Sequence, residues 1–117
     1  MDLSFRLGLL KDGGQIDQET YEKLLRVPVV IKDKWGIELL EENGAMLITH
    51  MSAALMRVKR GEAVNPMEEE IVLQLRNEKD YESSKLLLKE MEEELEIELP
   101  EEEKEFIILH LCTLRAA

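Results

Sequence analysis

Apolar residues between positions 41 and 60 recur at the spacing of a single helix face, and this pattern constrains the fold more than any other. At about 100° per residue, seven residues fill one arc of a helical wheel: Gly44, Leu47, Ile48, Met51, Ala54, Leu55 and Val58. His50 lies at the edge of this arc, and Arg57, seven residues further on, lies almost directly beneath it. The stretch predicts an amphipathic helix with one imidazole at the border between core and solvent.

Start and stop signals divide the N-terminal third of the chain into further helices. Leucines at helical spacing predict a helix over residues 2–11 that ends at Gly13-Gly14, although a short strand is also compatible with this segment. Asp17 is a typical N-cap for a second helix. Pro28 removes a backbone donor and crowds the preceding turn, so a kink or break is expected near Arg26. Trp35-Gly36 is the expected end of this helical segment.

The C-terminal half carries three more helix starts. Asn65-Pro66 combines a capping asparagine with a proline at the first helical position. The expected inner stripe of that helix is Met67, Ile71 and Leu75. Asp80 is expected to cap the next helix, and Pro100 with the three glutamates after it begins the last one. The apolar run that follows could form a strand by itself, but this start favours a helix that is buried on most sides. The residues therefore predict an all-α bundle of about five or six helices.

Charge and composition limit the possible partners. The 117 residues carry a formal net charge of -11, which repels nucleic acid in the absence of a strong basic patch. The basic cluster Arg57-Val58-Lys59-Arg60 more simply complements the dipole at the end of its helix. Cys112 is the only cysteine, so no intrachain disulfide is possible, and we expect it to act as a small buried hydrophobe. No signal peptide or bilayer-length apolar run is found, so we expect a cytoplasmic protein with no membrane or direct nucleic-acid partner.

The two histidines of the chain, His50 and His110, each lie among apolar residues, and four interpretations compete. Both could be structural core residues with satisfied hydrogen bonds. A metal site typically needs at least three protein ligands, and no His-x-x-x-His or Glu-x-x-His spacing is present, so no metal is expected. A Cys-His catalytic pair would need Cys112, which lies two residues after His110 and therefore on the far side of the same helix. No catalytic residue and no cofactor are predicted.

The fourth interpretation is phosphoryl acceptance. Neutral imidazole is a good nucleophile near neutral pH. The phosphoryl group brings a charge of about -2 and three acceptor oxygens. Arg57 has the right chemistry and position to contact a phosphoryl group on His50. Repulsion within an acidic domain could then repack helices or a subunit interface, so a local charge would become a global switch.

Several motifs occur in a characteristic order with both histidines. They are Ile48-Thr49-His50-Met51 leading to Arg57 and Gly61, then Asn65-Pro66, Tyr81, Leu99-Pro100-Glu101-Glu102-Glu103, Phe106 and Leu109-His110-Leu111. With these motifs, the span from about Trp35 to Leu114 resembles the phosphotransferase-system regulation domain (PRD) family. Glu103 and His110 match the family pattern in which an acidic Leu-Pro motif precedes a histidine by seven residues.

The resemblance implies an all-helical, five-helix PRD bundle that commonly forms homodimers. Residues 1–34 would be a short N-terminal extension with the first helix of the bundle, and residues 35–117 the PRD-like helical domain, together forming one compact unit. It also implies that His50 and His110 match the phosphorylatable histidines of the family. Their donors in the family are the histidine phosphocarrier protein or sugar-permease enzyme II components. Phosphorylation there controls transcription factors or antiterminators.

The chain departs from family regulators because it carries one such domain and no nucleic-acid-binding module. The resemblance therefore implies a small stand-alone, non-enzymatic bacterial PRD protein that responds to the sugar phosphotransferase system and acts on transcription, antitermination or a partner regulator. One alternative is a helical interaction module with the PRD fold and no phosphorylation. Another is a small phosphocarrier that passes its phosphoryl group to a second protein.

Overall fold

The computed structural model describes residues 1–117 as seven α-helices with no strand, which confirms the predicted all-α fold. The helices are α1 (Leu3–Asp12), α2 (Gln18–Leu25), α3 (Val27–Trp35), α4 (Glu41–Arg60), α5 (Glu69–Arg76), α6 (Tyr81–Leu95) and α7 (Glu101–Ala116). The number of helices exceeds the predicted five or six because the segment before Trp35 is broken at Arg26. Arg26 ends α2, and Pro28 stands in the first turn of α3.

Most of the predicted boundaries agree with the structure. The side chain of Asp17 accepts a hydrogen bond from the Thr20 amide and caps α2. Gly36 and Gly61 end α3 and α4 with positive φ angles of 67° and 70°, a conformation that glycine adopts without steric cost. Asp80 occupies the N-cap position of α6 as expected, but its side chain makes no capping hydrogen bond.

The predicted start of α5 is wrong. The helix begins at Glu69 rather than at Asn65-Pro66, so the proline lies in the loop after Gly61. Its expected inner stripe is also only partly inside: Leu75 is buried, Met67 is half-buried and Ile71 is exposed. This short helix packs against α6, and Arg76 at its end also binds Glu105 of α7 at 3.2 Å, so only part of its apolar stripe faces the core.

One continuous hydrophobic core joins all seven helices or their adjoining loops. It is centred on α4, which packs against α1, α2 and α7, while α6 packs against α3, α5 and α7. Leu7 of α1 and Leu24 of α2 belong to the same core as Ile48 of α4 and Ile107 of α7. The boundary proposed at residues 34 and 35 stays a prediction. None of the helices is both long enough and apolar enough to cross a bilayer.

Gly44 near the start of α4 is buried for a reason that the sequence did not indicate. The side chain of Leu39, in the loop before α4, occupies the space beside it, and a Cβ on Gly44 would lie 2.5 Å from Leu39 Cγ. The chain therefore folds back onto the first turn of its own helix.

Basic side chains at the end of α2 donate hydrogen bonds to backbone carbonyls at the end of α6. Glu96 ends α6 with a φ of 55°, which is unusual for a residue other than glycine. Lys23 donates to the Glu96 carbonyl at 3.0 Å, and Arg26 donates to the Glu94 carbonyl at 2.6 Å. These contacts satisfy terminal carbonyls that have no partner within α6, and they fix α2 against the bundle.

Candidate functional site

The site lies where α4 and α7 pack against each other. His50 projects from the middle of α4 and His110 from the second half of α7. His50 Nδ1 lies 3.1 Å from His110 Nε2, and the ring centroids are 4.8 Å apart with an angle of 54° between the planes. The two histidines, 60 residues apart in the chain, therefore form one hydrogen-bonded pair.

Spacing along the two helices produces a second contact beside the first. Arg57 follows His50 by seven residues, and Glu103 precedes His110 by seven residues, about two helical turns in each case. With α4 and α7 in opposite directions, the contact between the histidines therefore places Arg57 opposite Glu103. Arg57 Nε and Nη2 donate to the two carboxylate oxygens of Glu103 at 2.8 and 2.9 Å.

The sequence did not reveal the environment of Glu103. Three consecutive glutamates in the first turn of α7 suggested only a favourable interaction with the helix dipole. Glu101 and Glu102 are exposed, but only 1% of the Glu103 side chain is accessible. The matching seven-residue spacings, in opposite order around the two histidines, were the available signal that Glu103 faces Arg57.

Burial sets the protonation state of the pair. Both rings are half-buried, and Phe106 stacks on His50 with centroids 5.5 Å apart. Burial is the main cause that lowers the pKa of His50 below 6.5, and the charge of Arg57 lowers it further while Glu103 opposes the shift. Burial, followed by the proximity of His50, lowers the pKa of His110. Both imidazoles are therefore largely neutral at pH 7.

Each ring keeps one nitrogen free. His50 Nε2 and His110 Nδ1 make no hydrogen bond within the protein. The only buried side-chain nitrogen or oxygen without a partner in the chain is Glu105 Oε2, so both free imidazole nitrogens retain contact with solvent.

Arg57 lies close enough to His50 for its charge to lower the histidine pKa, but its guanidinium is already engaged. Hydrogen bonding to Glu103 raises the pKa of Arg57. Its remaining nitrogen, Nη1, has no protein partner and is not buried. The predicted contact of Arg57 with a phosphoryl group stays a prediction, and Nη1 is the atom that could make it without breaking the ion pair.

Other predicted features lie away from the pair. Cys112 is buried, as expected, and donates to Ser84 Oγ at 3.5 Å. Burial raises the pKa of its thiol, which makes it a poor nucleophile. Within the basic cluster, Lys59 pairs with Asp17 at 2.6 Å and with Glu19 at 2.8 Å. Two of the three cations, Arg57 and Lys59, thus attach the end of α4 to neighbouring helices.

Two surface grooves lie beside the C-terminal helices. A groove of about 1030 Å³ lies between α6 and α7, and one of about 540 Å³ lies between α5 and the end of α7. Neither groove includes His50 or His110.

Comparison with known proteins places this chain in a family. Residues 29–113 match the PRD domain family, and α4 to α7, which carry both histidines, fall almost entirely within that segment together with most of α3. The chain belongs to the PRD domain family, a family of regulatory domains.

One relative in Escherichia coli strain K12 is similar over nearly its whole length. The uncharacterized protein YhfY is 28% identical over 109 residues, which cover 93% of this chain and 91% of the relative. No solved structure matches the chain. The size of the relative fits a small stand-alone PRD protein.

Proposed function

We propose that this PRD domain is a regulator whose histidines, His50 and His110, are phosphorylated by the phosphoenolpyruvate:sugar phosphotransferase system. Its phosphorylation state would control transcription, antitermination or a partner regulator of carbohydrate metabolism. The observation that carries the proposal is the pair of imidazoles in contact across α4 and α7, each with one nitrogen that has no partner in the protein and is not fully buried. The domain would work in the cytoplasm, where these phosphotransfer proteins operate.

The position of the histidines outside both grooves favours a protein as the phosphoryl donor. A phosphorylated histidine on the phosphocarrier protein, or on an enzyme II component, could bring its phosphorus to the nitrogen that has no partner within the chain. The lowered pKa values of His50 and His110 favour neutral rings at pH 7, so the pair retains a nitrogen lone pair for nucleophilic attack.

The neighbouring ion pair supports a switch. A phosphoryl group on His50 adds about two negative charges near Glu103, which is buried and relies on Arg57 for charge compensation. The new group would attract the same guanidinium through Nη1 and repel the Glu103 carboxylate. Any loosening of this pair weakens the contact between α4 and α7, and through it the surface that a second copy or a partner regulator would bind. We propose a homodimer as the working form.

Labelling with radioactive phosphoenolpyruvate, the general phosphotransfer enzyme and the phosphocarrier protein tests the proposal. We expect acid-labile label on the wild-type chain and none on the His50→Ala/His110→Ala double variant. A matched control is Thr113→Ala on the exposed face of α7, which should label like the wild type. No label on the wild type with any donor of the system, or label that persists in the double variant, would refute the phosphoacceptor role.

A second candidate is an interaction module with the PRD fold and no phosphorylation. The observation in its favour is that the site is internally satisfied: the histidines bind each other, and Arg57 already binds Glu103 through two hydrogen bonds. This alternative predicts that partner binding is identical in the wild type and the double variant. Loss of partner binding on phosphorylation would exclude it.

A further inference from the structure

The contact between the histidines has a property that neither ring has alone. One hydrogen is shared between His50 Nδ1 and His110 Nε2, which are 3.1 Å apart. When both rings are neutral, either His50 donates and His110 accepts, or the reverse. A neutral imidazole carries a hydrogen on only one of its two nitrogens, so the direction of this bond also determines which outward nitrogen has a lone pair.

The two arrangements expose different nucleophiles. If His50 Nδ1 donates, His50 Nε2 has a free lone pair, while His110 Nδ1 carries a hydrogen and cannot attack. If His110 Nε2 donates, His110 Nδ1 has the free lone pair and His50 Nε2 carries the hydrogen. In each neutral arrangement only one of the two histidines is nucleophilic on its solvent side.

We infer that His50 and His110 act as one proton-sharing unit, in which each ring orients the other and accepts its proton during phosphorylation. The geometry further assigns the phosphoryl group to Nε2 of His50 and to Nδ1 of His110, because the other nitrogen of each ring faces its partner. As a regulatory mechanism this inference rests on the proposed function, but the chemistry of the pair can be tested without the biological donor.

The step balances as a phosphoryl transfer between nitrogens. The lone pair of His50 Nε2 attacks phosphorus, the bond from phosphorus to the donor nitrogen breaks, and the donor leaves with that electron pair and takes a proton from water. The product ring is cationic until its Nδ1 proton passes to His110 Nε2. His110 then releases its own Nδ1 proton to solvent.

Phosphorylation of His50 leaves His110 in the tautomer that can react next. After the transfer, the hydrogen of His110 lies on Nε2 and is donated back to Nδ1 of the phosphorylated ring. His110 Nδ1 is left with a lone pair, which is the nucleophilic arrangement. The first phosphorylation therefore sets the tautomer needed for the second, while repulsion between two phosphoryl groups opposes it.

Phosphoramidate, a small chemical phosphoryl donor, tests the inference on the full chain. Phosphorus and nitrogen NMR distinguish the two phosphohistidine isomers. We expect the Nε2 isomer in the His110→Gln variant, where only His50 can react, and the Nδ1 isomer in His50→Asn, where only His110 can react. The wild type should yield both isomers, each on its assigned ring.

Rescue by amides separates a role in orienting the ring from a merely structural one. The glutamine of His110→Gln can accept the hydrogen bond from His50 Nδ1, whereas His110→Ala cannot. We expect labelling of His50 to fall about tenfold in His110→Ala, because the hydrogen bond that orients the ring and fixes its tautomer is lost. Labelling should recover only in part in His110→Gln, because the amide accepts that hydrogen bond but cannot take the proton. His50→Asn and His50→Ala form the reciprocal pair. Thermal melting checks that each variant is folded.

Three results would overturn the inference: the opposite isomer on either ring, equal labelling rates in the alanine and amide variants, or no labelling of the wild type by phosphoramidate. Failure of the proposed function gives a different result. In that case phosphoramidate labels the pair with the expected isomers, but the proteins of the phosphotransferase system do not.

Discussion

Two arginine–glutamate pairs attach α4 to its neighbours, and they differ mainly in burial. Near the start of α4, Glu41 binds Arg6 of α1, and both side chains are partly exposed, at 20% and 31%. Near its end, Arg57 is 25% exposed, but its partner Glu103 is only 1% exposed. The same chemistry therefore has different consequences. At the first pair water can replace a lost partner, whereas at the second a charge would be left inside the protein.

The position of the pairs relative to the histidines adds to the contrast. Arg6 Nη1 also lies 3.5 Å from the Oγ1 atom of Thr49, the residue next to His50. Apart from burial, however, the groups that shift the pKa of His50 are Arg57 and Glu103. The buried pair thus belongs to the electrostatic environment of the site, and the exposed pair serves mainly to position α1.

The largest effect should come from Arg57→Met, which leaves the Glu103 carboxylate buried without its cation. We expect a loss of about 3 kcal/mol in the free energy of unfolding, at the low end for broken buried pairs because Arg57 itself is partly exposed. Urea denaturation monitored by circular dichroism measures it. A loss no greater than that of Arg6→Met would show that the two pairs do not differ as their burial implies.

The double variant Arg57→Met/Glu103→Met should recover most of that loss, because two apolar side chains replace both charges and no unpaired ion remains. The same denaturation experiment gives the coupling energy between the positions. If the double variant loses as much stability as the single variants Arg57→Met and Glu103→Met together, the two side chains do not interact in the folded protein.

Arg6→Met should destabilise the protein much less, and the effect should depend on salt. At about 1 M salt the screening length is about 3 Å, so the wild type and Arg6→Met should approach each other in stability. The difference between the wild type and Arg57→Met should persist at high salt. If salt reduced the stability losses of Arg6→Met and Arg57→Met to the same extent, the proposed difference between the exposed and the buried pair would be wrong.

The smallest expected effect is a pH dependence of stability from the histidine pair. Both histidine pKa values are lowered below 6.5 in the folded chain, so the unfolded chain binds more protons below that pH. Stability is therefore complete above pH 6.5 and decreases as the pH falls through and below that value. The pKa of Glu41 is lowered from 4.5 by its hydrogen bonds with Arg6, so its contribution is lost only below pH 4.5.

Thermal melting between pH 6.5 and 4.5 isolates the histidine contribution. The double variant His50→Asn/His110→Gln carries amides that do not titrate and should show a flatter profile in this range. Arg6→Met should keep the wild-type slope there. An unchanged slope in the double histidine variant would mean that other groups control stability in this range.

Local signals in the sequence predicted most of the fold because they act within a few residues. Asp17 caps α2, Gly61 ends α4 and the Pro28 break falls at Arg26, each through contacts inside one or two turns. The sequence predicted a helix start at Asn65-Pro66, where the local start signal is strong, but no helix begins there. Residues 62–68 form a loop, and the helix begins at Glu69 without a side-chain cap.

By itself, the sequence determined that this chain is a helical bundle, that its apolar faces point inward, and that its two imidazoles stand at the edges of two such faces. Periodicity, caps and breakers are short-range properties, so they can be read from neighbouring residues. Only the tertiary structure decided that His50 meets His110 and that Glu103, unlike the two glutamates before it, is buried against Arg57. Those contacts depend on the direction and register of α4 against α7, which the packing of the whole core sets.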